Sequence, residues 1–302
     1  MSQGTTLEPI VSKSGTSVTA APAGSVADMD LGALFDLEPH GPDTLVGVGP
    51  QYSWGGLYGG QIVAQALRAA ASTVDARLAP HSLRAYFIRR GDNTQPIRYE
   101  VDRIRDGSSF CTRRVVARQS FGAILNLESS FQVHEEAADI STVAMAHDLP
   151  GPDELEPSSW IEVVDQRRVP ARALGDDGRV GTGRTAMWMK VTAPLGDDPL
   201  LHRCWLAYLS DDLPTVSVLR TIAAHEGLSL DDEDGPYEGF FSASLDHTVW
   251  FHRPLRADAW HLYDMSCHGY VNGRGVTVGH VFTADGTHAA TVAQEVLVRR
   301  SR

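Results

Sequence analysis

The chain has 302 residues, of which 42% are hydrophobic and 21% charged, so it can bury a large core without disulfide or metal support. Its formal net charge of −12 disfavours a nucleic-acid-binding protein, since that class needs clustered lysine and arginine. No apolar run reaches the length of about 18 residues that a membrane-spanning helix requires, so we expect no membrane partner.

The N-terminal half is predicted to contain one helix followed by an antiparallel meander. Residues 1–28 are rich in Ser, Thr, Gly and Ala, and we expect a flexible tail because they cannot bury enough apolar surface. Residues 29–136 form the first predicted domain, in which a turn-rich segment at 54–60 leads into a helix at 61–71 with helically spaced apolar residues. Four strand-like runs follow, separated by Gly-containing turns, at 81–88, 96–105, 109–119 and 124–133.

The C-terminal half, 158–302, is predicted to repeat this order after a linker at 137–157, where Pro150-Gly151-Pro152 breaks any regular structure. Four acidic residues at 231–234, followed by Gly-Pro, indicate a solvated loop between helix and strands. The alternating ligand spacing of a calcium loop is missing there. The predicted helix lies at 200–210 and the predicted strands at 242–252, 259–268, 274–283 and 289–299.

The two halves also resemble each other in sequence at an offset of 164 residues. Such self-similarity predicts two alike domains in one chain, with any site near their interface. A long helix against a curved antiparallel sheet, present twice, predicts an α+β double hot-dog whose sheets pair side by side and hide their edges. The matching residues are Phe87 with Phe251, Arg89 with Arg253, Tyr99 with Tyr263, and Gly122 with Gly286.

Several ordered segments resemble the acyl-CoA thioesterase II (TesB-type) family, and the resemblance covers roughly residues 30–300. It implies a tandem hot-dog without a cofactor or metal. It also implies hydrolysis of acyl-CoA thioesters to carboxylic acid and CoA, an activity of fatty acid and lipid metabolism. The segments are GGQIVAQAL (59–67), HSLRAYF (81–87), RDGSSF (105–110), SSFQ (129–132) and LDHTVWFHRP (245–254).

By motif position, the resemblance assigns the family's water-orienting Asp, hydroxyl and Gln to Asp211, Ser244 and Gln294. A carboxylate can accept the proton of a water molecule whose direction a hydroxyl and an amide hold. Threonine is common in the family at the hydroxyl position, and serine here keeps the oxygen with more rotamer freedom. The backbone N–H groups of Gly59 and Gly60, at a predicted helix start, are candidate donors to the thioester oxygen.

The internal offset predicts a single site per chain. At an offset of 164, the counterparts of Ser244 and Gln294 are Pro80 and Ser130, which offer no hydroxyl and no amide respectively. The first repeat is therefore expected to supply walls rather than chemistry. Strand alternation separates His247 from Asp246, so a hydrogen-bonded structural histidine is favoured over a His–Asp dyad. The nucleophile elbow of a serine hydrolase, GxSxG, is absent from the sequence.

Two alternative functions remain open at this stage. A hot-dog enoyl-CoA hydratase is suggested by the Gly-Asp turn before proline at 91–96, but Ile97-Arg98 stands where a histidine is expected. A non-catalytic acyl-CoA-binding protein would keep the pocket and lose the water-holding residues, which are all present here.

The expected partner is an acyl-CoA substrate, with a homo-oligomer implied by the family resemblance. Cys111, Cys204 and Cys267 are far apart and form no CxxC pair, which argues against a disulfide scaffold or zinc site and fits a reducing compartment. Without a secretory signal or a C-terminal peroxisomal address, the sequence predicts a cytoplasmic protein.

Overall fold

The computed structural model describes residues 33–52, 54–174, 183–227 and 239–301, which together form one antiparallel sheet with three α-helices. The tail predicted at 1–28 and the acidic loop predicted at 231–234 lie outside the described residues. None of the helices within those ranges is long and apolar enough to cross a membrane.

The elements of the first half run in the predicted order of one helix and then four strands, but the prediction that these strands form a meander is wrong. The first of them pairs with the fourth rather than with the second, which places it at the junction with the second half. An additional short hairpin, which the sequence did not indicate, precedes the helix. The elements are β1 (Glu38–Pro39), β2 (Thr44–Gly47), α1 (Gly59–Ala71), β3 (Leu78–Phe87), β4 (Ile97–Asp106), β5 (Phe110–Gln119) and β6 (Gly122–Val133).

The second half contains two helices rather than the single predicted one, and two strands before them. The elements are β7 (Val164–Arg168), β8 (Thr185–Val191), α2 (Pro199–Leu209), α3 (Leu213–His225), β9 (Phe240–Ser244), β10 (Asp246–Phe251), β11 (His261–Val271), β12 (Arg274–Thr283) and β13 (His288–Arg300). Along the sheet the order is β1-β2-β4-β5-β6-β3-β10-β13-β12-β11-β8-β7, and β9 pairs with β13 off this path.

The two halves join through the antiparallel pairing of β3 with β10. In this register Arg84 lies opposite Thr248, which is its own counterpart at the offset of 164. Equivalent residues that face each other mark a local two-fold relation between the halves. The bounds of β5 and β12, at 110–119 and 274–283, differ by the same offset. The expected continuous sheet is therefore present, and neither half exposes the edge at which they meet.

Helix α1 is buried on nearly every side, because it lies between the first half of the sheet and α2. The two helices run antiparallel, since Gly60 of α1 approaches Tyr208 at the end of α2 while Arg68 pairs with Asp198 before its start. A Cβ atom on Gly60 would lie 2.2 Å from the Tyr208 carbonyl oxygen. Glycine is required here because only a bare backbone permits this approach.

The prediction that the helix at 200–210 is the sheet-covering helix of the second half is wrong. That helix exists as α2 but packs on α1, whereas α3 packs on β11, β12 and β13. Leu213 and Pro214 begin α3, directly after Asp212. Proline is tolerated in the first turn of a helix, because the N–H group that it lacks has no intrahelical acceptor there.

Three further departures concern strand boundaries and the linker. The strand predicted at 242–252 is divided at Leu245 into β9 and β10, both of which pair with β13. Strand β8 is a continuous buried run without alternation, and so it lacked the pattern of a half-exposed strand. Within the linker, Met145 and Leu149 pack against a cluster that includes Trp188 of β8.

Substituting Gly60 with alanine should lower the free energy of unfolding by about 1–3 kcal/mol, because the new methyl group must push α1 away from a backbone carbonyl. Urea denaturation monitored by circular dichroism measures this change. Gly269→Ala is the matched control, since Gly269 is exposed with no atom within 4 Å of an added Cβ. A loss at Gly60 no larger than that at Gly269 would contradict the close helix contact.

Candidate active site

A buried polar cluster lies where the start of α1, the end of α2 and strands β9 and β13 meet. Asp211 follows α2 and is 7% exposed, Ser244 is the last residue of β9, and Gln294 in β13 is 1% exposed. The Gln294 Nε2 donates to Ser244 Oγ at 2.7 Å, and Ser244 Oγ lies 3.4 Å from Asp211 Oδ1. The structure thus brings together the three residues that the sequence analysis selected from distant segments.

The division between β9 and β10 determines where Ser244 lies. Ser244 is opposite Val296 in the register of β9 with β13, and the Leu245 N–H then donates to the Glu295 carbonyl. The chain continues into β10, whose Thr248 lies opposite Ala293. Ser244 is therefore next to the side chain of Gln294, on the face that Asp211 approaches.

The Asp211 carboxyl is a weaker acid than an ordinary aspartate. Burial raises its pKa to about 7, opposed by a hydrogen bond from Gln294, and the neighbouring charge of Asp212 raises it further. Hydrogen bonds from the Gly60 N–H and the Ser244 hydroxyl favour the charged form and limit the rise. A carboxylate with such a pKa can accept a proton near neutral pH.

The two glycines predicted as ligand-binding residues both lie against Asp211. A Cβ atom on Gly59 would lie 2.5 Å from Asp211 Oδ2 and 3.0 Å from the ring of Phe87, so this position leaves room for the carboxylate. A hydrogen bond from the Gly60 N–H lowers the pKa of Asp211. The ligand-binding roles of Gly59 and Gly60 stay predictions.

His247 has the structural surroundings that the sequence predicted. It is fully buried, its Nδ1 lies 2.5 Å from Gln294 Oε1, and its Nε2 lies 2.8 Å from Ser210 Oγ. Asp246 points to the other face of the strand and accepts from the Glu295 N–H at 2.7 Å. The expectation of a hydrogen-bonded histidine without a His–Asp dyad is confirmed.

The sequence analysis missed the residues that surround Asp212 and close the site on one side. The Gln166 Nε2 donates to Asp212 Oδ2 at 2.6 Å, and burial raises the Asp212 pKa. The rings of Tyr58 and Trp160 are 5.2 Å apart, and the Tyr58 hydroxyl donates to the Tyr208 carbonyl. Gln166 belongs to β7, which was not predicted. This edge strand has the mostly polar sequence VDQRR, so it lacked the apolar pattern by which a strand could have been predicted.

The equivalent positions of the first repeat do not reproduce this cluster. Pro80 takes the place of Ser244, and Ser130 Oγ lies 2.9 Å from His81 Nε2.

A cavity of about 1260 Å³ lies near Pro80, between residues such as Leu200 and Leu255. It is at the ends of α1 and α2 that are far from Asp211. Its lining does not include the Asp211 cluster, and the polar contacts rather than the cavity identify the candidate site. Within the described ranges, no group of three or more His, Cys, Asp or Glu side chains is arranged to hold a metal ion.

Comparison with protein families matches the chain in two parts. Residues 49–132 match the model described as the acyl-CoA thioesterase N-terminal domain, and residues 137–298 match the model described as the acyl-CoA thioesterase C-terminal domain. Acyl-coenzyme A thioesterase 8 of Mus musculus is 33% identical over 267 residues, which cover 80% of this chain and 80% of the mouse protein.

Two solved structures are similar along nearly the whole chain. The acyl-CoA thioesterase II TesB2 from Mycobacterium marinum has 37% identity and a TM-score of 0.78, covering 90% of this chain and 99% of that protein. A conserved protein of unknown function with a hot-dog fold, from Alicyclobacillus acidocaldarius, has 19% identity and a TM-score of 0.70, covering 90% and 98% respectively. The second likeness shows that the fold of this chain is of the hot-dog type.

The raised pKa of Asp211 should make the native protein lose stability with rising pH relative to Asp211→Asn. Between pH 4 and about 7 the Asp211 carboxyl loses its proton more readily in the unfolded state than in the folded state, so its deprotonation favours unfolding. The free energy of unfolding of the native chain minus that of the variant should fall across this range and level off above it. Urea denaturation at several pH values measures the difference. A constant difference would contradict the raised pKa.

Proposed function

We propose, from the premise that the chain belongs to the TesB-type acyl-CoA thioesterase II family, that Asp211, Ser244 and Gln294 hold the water that attacks the thioester. The protein is an enzyme, a thioester hydrolase that converts acyl-CoA to carboxylic acid and CoA. The observation that supports the catalytic assignment is the contact of Ser244 with both Gln294 and a buried carboxyl whose pKa is about 7.

The first step is attack of water on the thioester carbonyl carbon. Asp211, when deprotonated, accepts a proton from the water as the water oxygen bonds to the carbonyl carbon. Ser244 and Gln294 fix the direction of the water, which removes much of the entropic cost of bringing it to the carbonyl. The resulting tetrahedral intermediate then expels the CoA sulfur, which takes the proton from Asp211. The C–S bond breaks and the carboxylic acid leaves.

The developing oxyanion requires hydrogen-bond donors at the carbonyl oxygen of the thioester. The Gly59 N–H is the proposed donor, because it belongs to the first turn of α1, where N–H groups lack intrahelical acceptors and the helix dipole favours negative charge. Its position next to Asp211 supports this assignment. A donor here would stabilise the intermediate more than the ground state.

The same proposal extends to the organisation of the chain. We propose a tandem hot-dog with repeats at 29–136 and 158–302, a linker at 137–157, and the catalytic side chains in the C-terminal repeat alone. The recurrence of strands at the offset of 164 and the pairing of Arg84 with Thr248 support the repeat boundaries. A homo-oligomeric state and a cytoplasmic location, expected from the sequence, stay predictions.

Release of free thiol from acyl-CoA tests the catalytic assignment. Asp211→Asn and Gln294→Ala should each lower kcat, by about 10²–10⁴-fold for the loss of the base. Ser130→Ala, at the repeat counterpart of Gln294, should keep the native rate. An unchanged rate in Asp211→Asn would remove this residue from the mechanism. Loss of enoyl absorbance without free thiol would indicate a hydratase, and binding without either signal would indicate a non-catalytic binder.

The pH dependence of kcat should report the ionisation of Asp211. The deprotonated carboxylate is the active form, so kcat should rise with pH and level off above about 7. In Asp212→Asn the neighbouring negative charge is lost, which lowers the Asp211 pKa and moves the rise to lower pH. Steady-state thiol release from pH 5 to 9 measures both curves. A midpoint that Asp212→Asn moves upward would contradict this assignment.

A further inference from the structure

A closed circuit of contacts links the three proposed catalytic residues behind the site, and His247 completes it. Starting at Asp211, the circuit passes through Ser244 and Gln294 to His247, and then to Ser210, which precedes Asp211 in the chain. His247 and Ser210 are both fully buried. The imidazole is therefore hydrogen-bonded to the residues on either side of the proposed water position without being exposed to a ligand.

With Gln294 Oε1 placed against His247, the hydrogen bonds of this circuit fix the position of the imidazole proton. Burial lowers the His247 pKa to about 4, so at neutral pH the ring is uncharged and has a single N–H. The Gln294 Oε1 can only accept, so the hydrogen is on His247 Nδ1. The Nε2 then accepts from the Ser210 hydroxyl at 2.8 Å, in place of the Ala207 carbonyl, which is the other acceptor within reach of that hydroxyl at 3.0 Å.

The Nδ1–H donor and this orientation of the Gln294 amide require each other, because the amide oxygen can face His247 only when Nδ1 donates. With Oε1 bound by His247, the NH₂ group faces Ser244 and donates to its oxygen, so the Ser244 hydroxyl hydrogen is free to turn to Asp211. In the flipped orientation the amide oxygen would face Ser244 and compete for that hydrogen. Asp211 would then lose a hydrogen bond, and the water would lose its fixed direction.

The backbone of His247 is held as firmly as its side chain. Strand β10 is central, pairing with β13 on one edge and with β3 of the first half on the other, where His247 lies opposite Ala85. A side chain in such a strand has little freedom to shift. The pairing of the two halves thereby determines where the imidazole presents its donor.

We propose that His247 is a positioning residue, which uses Nδ1–H to select one orientation of the Gln294 amide and Nε2 to hold Ser210 and the turn that bears Asp211. This proposal rests on the proposed function, because it assumes that Gln294 acts on the water. His247 does not touch substrate, and its effect reaches the reaction through Gln294.

Two substitutions separate the roles of the ring nitrogens. Asparagine places its amide nitrogen near the position of Nδ1 and can still donate to Gln294, whereas glutamine places its amide nitrogen near Nε2 and loses that donor. His247→Gln should lower kcat on the order of 10²-fold, as a misplaced catalytic group does, with KM for acyl-CoA unchanged. His247→Asn should recover most of the lost kcat.

His261 supplies a matched control for the cost of altering a buried histidine. It is 1% exposed, and its Nδ1 lies 2.8 Å from the Ala259 carbonyl, away from the Asp211 cluster. His261→Gln should reduce the thermal midpoint without lowering kcat. Similar losses of kcat in His261→Gln and His247→Gln would overturn the proposal, since they would indicate a general structural effect.

Combination with Gln294→Ala distinguishes this proposal from the proposed function. If His247 acts through Gln294, then adding His247→Gln to Gln294→Ala should cause little further loss of kcat. Additive losses, or equal kcat in His247→Asn and His247→Gln, would overturn the positioning role and leave the proposed function intact. A native rate in Gln294→Ala alone would overturn both proposals.

Discussion

The antiparallel pairing of β3 with β10 is the constraint on which the site depends. Because Arg84 faces its repeat counterpart Thr248, the two halves share one sheet about a local two-fold relation. That relation brings the first turn of α1, which belongs to the first half, against Asp211, Ser244 and Gln294 of the second. Neither half alone contains both the helix start and the three side chains proposed to hold the water.

The site is built at a cost in stability that its hydrogen bonds partly offset. Burying a carboxyl disfavours its charged form, and the neighbouring Asp212 adds to that penalty for Asp211. Donors from Gln294, Gly60 and Ser244 keep the pKa near neutrality rather than far above it. A fully solvated aspartate would be charged but a poorer base, and one without donors would stay protonated. The observed balance suits proton transfer at neutral pH.

The two halves differ where the proposed catalytic side chains lie. Pro80 and Ser130 occupy the positions of Ser244 and Gln294, and helix α2 has no counterpart among the described residues of the first half. Helix α2 packs beside α1 and ends just before Asp211, so the helix without a repeat counterpart also positions this carboxylate. Gly60 permits the close helix packing on which the position of Asp211 depends.

Local sequence pattern by itself determined helix α1, the approximate bounds of strands β3–β6 and β11–β13 and the offset of 164, because side-chain periodicity and turn residues act over a few neighbouring positions. Motif position also selected Asp211, Ser244 and Gln294. Only the tertiary structure decided that α3 rather than α2 covers the second sheet, that Gly60 donates to Asp211, and that His247 bonds to Gln294 and Ser210. These features arise from burial and from contacts between segments distant along the chain, which no local pattern encodes.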